Sequence, residues 1–194
     1  MSQLQALILA AGSSRRFPVN KLLRRLPDKR CLLDISYQLA SALTPDCLLV
    51  INADARMREY CQSHHYNYLV NPQADTGMAS SIACAVAATP AADGWAILLA
   101  DMPCIKPATL KLLSDSWSAY EVTVPDYQHQ HGHPVIFSHN WFSALCALKG
   151  DQGARGLWQD NPAVYHLPTD DAGVCFDIDT EEDWSRYLAN GCAQ

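Results

Sequence analysis

No segment of this 194-residue chain approaches the unbroken apolar run of roughly 18–20 residues that a membrane-spanning helix requires. The first residues show no basic stretch followed by a long apolar segment and a cleavage site. A cytoplasmic protein with no membrane partner is therefore expected. Basic residues are scarce: 14 Lys and Arg stand against 20 Asp and Glu, a net charge of −6. Such a chain lacks the broad positive surface that neutralises many phosphates, which argues against a nucleic-acid partner. Closely spaced cysteines are missing too. Cys31, Cys47, Cys61, Cys84, Cys104, Cys146, Cys175 and Cys192 lie far apart, with no Cys-x-x-Cys pair for metal or redox chemistry. Most are expected to be small buried apolar residues in a reducing compartment, and Cys104 is marked for chemical sensitivity by the motif beside it. Two phosphate-binding fingerprints are also absent: Gly12 does not open a Gly-x-Gly-x-x-Gly, and no Gly-Lys-Ser/Thr occurs.

What is present begins with an apolar run, Ala6 to Ala11, that breaks at Gly12 into Ser13, Ser14, Arg15 and Arg16, with Lys21 following. A buried strand ending in glycine, hydroxyls and cations presents backbone N–H groups and positive charge to a phosphate chain. Seven of the 14 basic residues (Arg15, Arg16, Lys21, Arg24, Arg25, Lys29, Arg30) fall between positions 15 and 30, where Asp28 is the only acid. A local basic segment in an acidic protein fits a small polyanion.

At 49% hydrophobic content the chain can bury one sizeable core, and a single domain over 1–194 is expected. Apolar runs at 4–10, 47–51, 68–70, 95–100 and 122–124 read as strands, and the segments 32–43, 56–63, 80–88 and 107–120 between them read as crossover helices. This alternation predicts an α/β fold with a mainly parallel sheet, in which ligands sit beyond the carboxyl ends of the strands. Gly12, Asn71 and Asp101 lie at or just past such ends. After Pro125 the pattern loosens into polar loops around 127–134 and 149–156, and a last helix is expected over about 180–188. The looser half is expected to add an antiparallel strand and loops that close over a second substrate.

Six motifs run in order along nearly the whole chain. The first is Leu9-Ala10-Ala11-Gly12-Ser13-Ser14-Arg15-Arg16-Phe17-Pro18-Val19-Asn20-Lys21. It resembles the signature Leu-Ala-Ala-Gly-x-Ser-x-Arg-Met/Phe-Gly-x-x-Lys of the molybdenum cofactor nucleotidyltransferases. Asn71-Pro72 with Gly77-Met78-Ala79-Ser80-Ser81-Ile82, Leu98-Leu99-Ala100-Asp101-Met102-Pro103 and Gly132-His133-Pro134 are similar to further elements of that family. So are Gly150-Asp151-Gln152-Gly153-Ala154-Arg155 and Asp177-Ile178-Asp179-Thr180-Glu181-Glu182-Asp183. Two positions depart from the pattern. Pro18 replaces a glycine and removes a backbone N–H, and Glu181 replaces a proline at a helix start where an acid is also favourable.

The resemblance implies a Rossmann-like three-layer nucleotidyltransferase fold. Leu9, Ala10, Ala11, Gly12, Ser13, Ser14, Arg16 and Lys21 would bind the triphosphate, with Lys21, Arg16 and Asp101 as catalytic groups that offset charge in the transition state. Asn71, Gly77 and Ser81 would add nucleotide contacts. Asn before Pro is also a turn former, and Ser80 and Ser81 also suit a helix cap. Asp101, emerging from Ile97 to Ala100, is read as a ligand of Mg2+, which prefers one or two carboxylates plus substrate phosphates; the alternative is a turn residue. Asp177 and Asp179, two apart and on one face if the segment is a strand, either complete the metal site or cap the last helix. Ser80, His133, Asp151 and Arg155 are expected on the acceptor, Arg155 as the bidentate anion clamp. His129, His131 and His133 alternate as a strand-borne metal site would, but their polar, glycine-containing surroundings favour a mobile loop.

The implied reaction is transfer of a nucleoside monophosphate from CTP, favoured over GTP because of the Leu-Ala-Ala-Gly run, to the terminal phosphate of molybdopterin, with release of pyrophosphate. Molybdoenzymes or their chaperones would receive the product. Two alternatives stay open: a sugar or polyol phosphate as acceptor, and a non-catalytic nucleotide- or cofactor-binding protein.

Overall fold

Strands buried on both faces must be apolar at nearly every position, and that is how the first half of the chain reads. In a computed structural model, which describes residues 3–12, 20–150 and 153–192, these runs become strands of one sheet. The elements in order are β1 (Leu4–Ala10), α1 (Leu32–Leu43), β2 (Cys47–Ile51), α2 (Ala55–Ser63), β3 (Tyr68–Val70), α3 (Met78–Ala88), β4 (Gly94–Leu99) and α4 (Pro107–Ser116). They continue as β5 (Val122–Tyr127), β6 (Gln130–His131), β7 (Val135–Ser138), α5 (Phe142–Cys146), α6 (Arg155–Trp158), β8 (Val164–Pro168) and α7 (Glu181–Asn190).

The sheet runs β3-β2-β1-β4-β7-β5, with β8 on the far edge of β5 and β6 pairing the end of β5. Strands β1 to β4 are mutually parallel, β7 is antiparallel to both β4 and β5, and β8 runs parallel to β5. The carboxyl ends of β1, β2, β3, β4, β5 and β8 therefore share one edge. The fold is thus α/β and mostly parallel, with its antiparallel pairings in the C-terminal half, as the resemblance implies.

Period-2 alternation splits the core into two layers. Ala6, Ile8 and Ala10 of β1 join Ala96 and Leu98 of β4 in a cluster roofed by Leu32 and Ile35 of α1, Met57 of α2, Leu110 of α4 and Trp184 of α7. Leu7 with Trp95 and Ile97 faces the other way, onto Ile82 and Val86 of α3, Leu145 of α5 and Trp158 of α6.

The polar stretch after Pro125 is not a loop throughout. Tyr127 pairs with Gln130 across a two-residue turn, Gln128-His129, whose positive φ values of 50° and 65° are those of a type I′ hairpin turn. The helix expected over 107–120 ends at Ser116 and tightens into a 3-10 turn, Trp117–Ala119. The segment 176–179 forms no strand. None of the described helices is long and apolar enough to cross a membrane.

Cys104 and Cys192 form a disulfide, which corrects the expectation for these two residues, while the other six cysteines are free. Glycine places Cys104 close to the loop that follows β8. A Cβ on Gly173 would overlap the Cys104 carbonyl, so only glycine lets the two backbones touch.

Candidate active site

Beyond the carboxyl ends of β1 and β4 the chain concentrates charge around one lysine. Lys21 opens a 3-10 turn, Lys21–Leu23, fixed by Asn20, whose Oδ1 accepts from the Leu22 N–H at 3.0 Å. Its ammonium donates to Asp101 Oδ2 at 2.8 Å, Asp179 Oδ1 at 3.0 Å and the Ile178 carbonyl at 2.6 Å. Side-chain exposures of 10% for Lys21, 21% for Asp101 and 45% for Asp179 place the cation at the base of the group and Asp179 at its mouth. Burial works against the lysine's charge, yet Asp101 and then Asp179 outweigh it and raise its pKa, so the ammonium stays charged. Asp177 is held above the ordinary carboxylate range, first by burial and then by the negative charges of Asp179 and Asp101.

Local structure explains why these groups meet. Asp101 lies two residues past β4, and its backbone carbonyl accepts from the Ile178 N–H at 3.0 Å, tying the β4 end to the Asp177–Asp179 segment. The competing role of Asp179 as a helix cap falls to its neighbour. Thr180 caps α7, its hydroxyl accepting from the Asp183 N–H while Asp183 accepts from the Thr180 N–H at 2.9 Å, which leaves the Asp179 side chain for Lys21. Arg24 clamps the same helix, donating to both oxygens of Glu181 at 2.8 and 2.7 Å and lying 4.5 Å over the Trp184 ring.

Arg25 and Arg30 of the basic segment have structural partners as well. Arg25 bonds the Lys29 carbonyl, and Arg30 bonds Asp28 and Gln38. Charge in the second half of that segment therefore braces the chain and is not offered to a polyanion. Ser13, Ser14, Arg16 and Pro18 lie outside the described residues, as does Asp151.

Leu9 and Ala10 end β1 and Ala11 follows it, with Ala10 and Ala11 buried, and Gly12 beyond them is exposed. The Ala11 carbonyl accepts from Asn52 Nδ2 at 3.3 Å. Asn71, 2% exposed, donates to Ser80 Oγ at 2.9 Å and Ser81 Oγ at 3.0 Å, and accepts from the Gln73 N–H. It thereby locks the β3 end to the start of α3. Gly77 turns the chain into that helix with φ of 117°. The Gly150 carbonyl accepts from the Ala79 N–H at 3.1 Å, and a Cβ on Gly153 would lie 3.3 Å from the Met78 sulfur. The loop carrying Arg155 therefore rests on the α3 start beside Ser80. Arg155 itself is exposed.

His133 points into the sheet, its Nδ1 at 3.3 Å from the Ile97 carbonyl and its backbone N–H on the Val174 carbonyl. Burial lowers its pKa, with the Ile97 contact and Asp101 acting in the opposite direction, so the ring is neutral near neutrality. The three alternating histidines do not act together: His129 sits in the turn, His131 pairs across to Asp126, and His133 joins the region of Asp101.

Two contributors escape sequence reasoning. Asn20 looked like one more residue of the signature, yet it shapes the turn that aims Lys21. Asp171, fully buried, accepts from the Lys106 N–H and Thr109 hydroxyl at 2.7 Å each and from the Gly173 N–H at 2.9 Å. It holds the 171–175 loop, and so the Val174 carbonyl that receives His133. The only trace in the sequence is an Asp two residues before a Gly, a common turn pattern.

A mostly parallel α/β sheet with a lysine and carboxylates beyond its strand ends is the arrangement expected of a nucleotidyltransferase. A MobA-like NTP transferase domain matches residues 6–164, and the chain belongs to that family. It is 30% identical over 189 residues, 91% of each chain, to the purine catabolism protein PucB of Bacillus subtilis (strain 168). Rv0371c from Mycobacterium tuberculosis H37Rv superposes with a TM-score of 0.84 at 29% identity, covering 97% of this chain and 98% of that one. The complex of Rv0371C with manganese gives a TM-score of 0.82, also at 29% identity, over 97% and 99% of the two chains. Molybdopterin-guanine dinucleotide biosynthesis protein A of Archaeoglobus fulgidus shares the fold, with a TM-score of 0.69 at 17% identity over 95% and 97%.

Proposed function

We propose that this nucleotidyltransferase moves a nucleoside monophosphate, CMP in preference to GMP, from its triphosphate to the terminal phosphate of a molybdopterin-type acceptor in the cytoplasm. An acceptor oxygen forms a bond to the α-phosphorus, the bond from that phosphorus to its bridging oxygen breaks, and pyrophosphate leaves with the electron pair. The observation that carries this reading is the Lys21 ammonium held between Asp101 and Asp179 beyond the ends of β1 and β4.

The donor set fits a divalent ion. Asp101 Oδ1 is buried and has no hydrogen-bond partner among the described residues, and Asp177 stands in the field of two further carboxylates. Asp101 with Asp177 or Asp179 would hold Mg2+, a hard cation that takes one or two carboxylates and completes its shell with phosphate oxygens and water. Such an ion supplies Lewis-acid stabilisation of phosphate charge. The manganese bound by Rv0371C supports a divalent ion here.

The chain's own residues position and neutralise. Lys21 faces the charge that builds on the transferred group, and a fixed cation in a water-poor site needs no reorganisation as that charge develops. Arg16 would share that task. The β1 end from Leu9 to Gly12, with Ser13 and Ser14, receives the triphosphate. Asn71, Gly77 and Ser81 shape its base or ribose end. Ser80, Asp151 and Arg155 would serve the acceptor, with Arg155 gripping its anionic group, while His133, turned into the sheet, would support that side from within rather than touch it. Because a phosphate nucleophile needs no strong base, alignment does most of the remaining work. Preference for CTP and for the pterin rests on the Leu-Ala-Ala-Gly run and on the Gly150 to Arg155 loop. Molybdoenzymes or their chaperones are the proposed recipients.

Incubation of the protein with CTP or GTP, Mg2+ and either molybdopterin cofactor, a sugar phosphate or a polyol phosphate tests the reading. Pyrophosphate release fastest with CTP and the pterin is expected. Faster turnover with any other pair overturns the assignment.

A further inference from the structure

A second group of ligating side chains stands at the same sheet edge, on the strands farthest from β3. We propose that Asp126, His131 and His166 form a binding site for a divalent transition-metal ion of the zinc class, separate from the Asp101 carboxylates.

Strand register brings the three together. Asp126 of β5 pairs directly with His131 of β6, and His166 of β8 pairs with Val124, which shares a face of β5 with Asp126. One ligand atom from each side chain lies within 4.8 Å of the other two. The His131 Nε2 is 3.7 Å from Asp126 Oδ2, and the two imidazoles stack with centroids 4.7 Å apart.

Two features make this more than an accidental meeting of polar residues. Asp126 Oδ1 accepts the His129 N–H at 2.9 Å, so the turn fixes the carboxylate with Oδ2 facing the histidines. Metal-ligating carboxylates are commonly oriented by such a supporting bond. Trp158 of α6 then forms an apolar wall, with its ring centroid 5.3 Å from that of His131 and 6.5 Å from that of His166. Side-chain exposures of 21% for Asp126 and 27% for His131 leave an entry path.

Ligand chemistry sets the class of ion. Two imidazoles and one carboxylate suit zinc and its first-row neighbours, whereas magnesium and calcium prefer all-oxygen shells. Zinc bonds to nitrogen and oxygen are about 2.0–2.2 Å long, so the side chains must draw in around the ion. Half-exposed histidines at a strand edge have the rotamer freedom to do so. A bound ion would tie the β5–β6 hairpin to β8 beneath the helix that opens with Arg155, bracing the proposed acceptor side.

Cobalt(II), which reports its ligands by visible absorption, is the probe. It is added to the full-length protein, with its Cys104–Cys192 disulfide intact, in excess Mg2+ to occupy the oxygen-rich carboxylate site. One equivalent should bind with the spectrum of nitrogen and oxygen ligation and raise the thermal midpoint. His131→Ala and His166→Ala should each weaken binding at least tenfold, and Asp126→Asn should also weaken it. Asp101→Asn should leave it intact. Circular dichroism checks the fold of each variant, and His166→Gln replaces any that fails. Absence of cobalt binding, thiolate-type absorption, or unchanged affinity in His131→Ala and His166→Ala would each overturn the proposal.

Discussion

In the proposed reaction Lys21 carries more of the chemistry than any other described side chain, and its contacts with Asp101 and Asp179 make its removal diagnostic. In Lys21→Ala the positive charge facing the transferred phosphate is lost, so kcat should fall about 10²- to 10⁴-fold. Asp101 and Asp179 would then face one another without their shared cation. The thermal midpoint should drop and be partly restored by Mn2+ or Mg2+, because an added cation replaces the missing charge. A midpoint that metal does not move would argue against a metal role for those carboxylates. Asp34 is a second test at this scale. Burial would raise its carboxyl pKa, but hydrogen bonds from the Cys31 N–H and the Tyr60 and Tyr66 hydroxyls outweigh that and lower it below 3.8. A depressed folded-state pKa stabilises the protein above the unfolded value, and this contribution disappears as pH falls through the folded value. Asp34→Asn should therefore cost about 1–3 kcal/mol at neutral pH. Urea unfolding from pH 7 down to pH 2 should show the gap between variant and parent closing below about pH 3.8.

Among the elements, the segment at 171–175, a 3-10 turn over Ala172–Cys175 that lies outside the sheet, ties the site together. Its Gly173 backbone rests on Cys104, its Asp171 caps the start of α4, and its Val174 carbonyl holds His133. Gly173→Ala should destabilise the protein by about 3 kcal/mol or more, since a backbone carbonyl cannot yield as a side chain can. A urea midpoint within error of the parent's would contradict that packing. The parallel strands and crossover helices were legible in the sequence because burial on both faces leaves long apolar runs and helix burial leaves a 3.6-residue period. The strands β6 and β8 were not, since one has two residues and the other is a half-exposed edge with alternating polar positions. The Lys21–Asp101–Asp179 grouping was legible only through motifs, because its contacts join residues far apart in the chain. The cluster of Asp126 with His166 left no local signal at all. Alternation of His129, His131 and His133 suggested a metal set that their polar, glycine-containing surroundings argued against, and the structure sends the three to different places.

Across the whole molecule, the sheet edge acts as a bench on which parallel strands deliver groups from distant parts of the chain. β1 brings Gly12, β3 brings Asn71, β4 brings Asp101, and α7 is braced by Arg24 so that Asp179 closes over Lys21. In the proposed reaction this edge transfers a nucleotide through the Lys21–Asp101–Asp179 group. The direct measurement is a single-turnover reaction with CTP labelled at the α-phosphate, Mg2+ and the pterin acceptor, run on the parent and on Asp101→Asn. The label should enter the acceptor product with one pyrophosphate released per transfer, and Asp101→Asn should lose at least about 100-fold in rate with its fold intact. Transfer by Asp101→Asn at the parent's rate would contradict it.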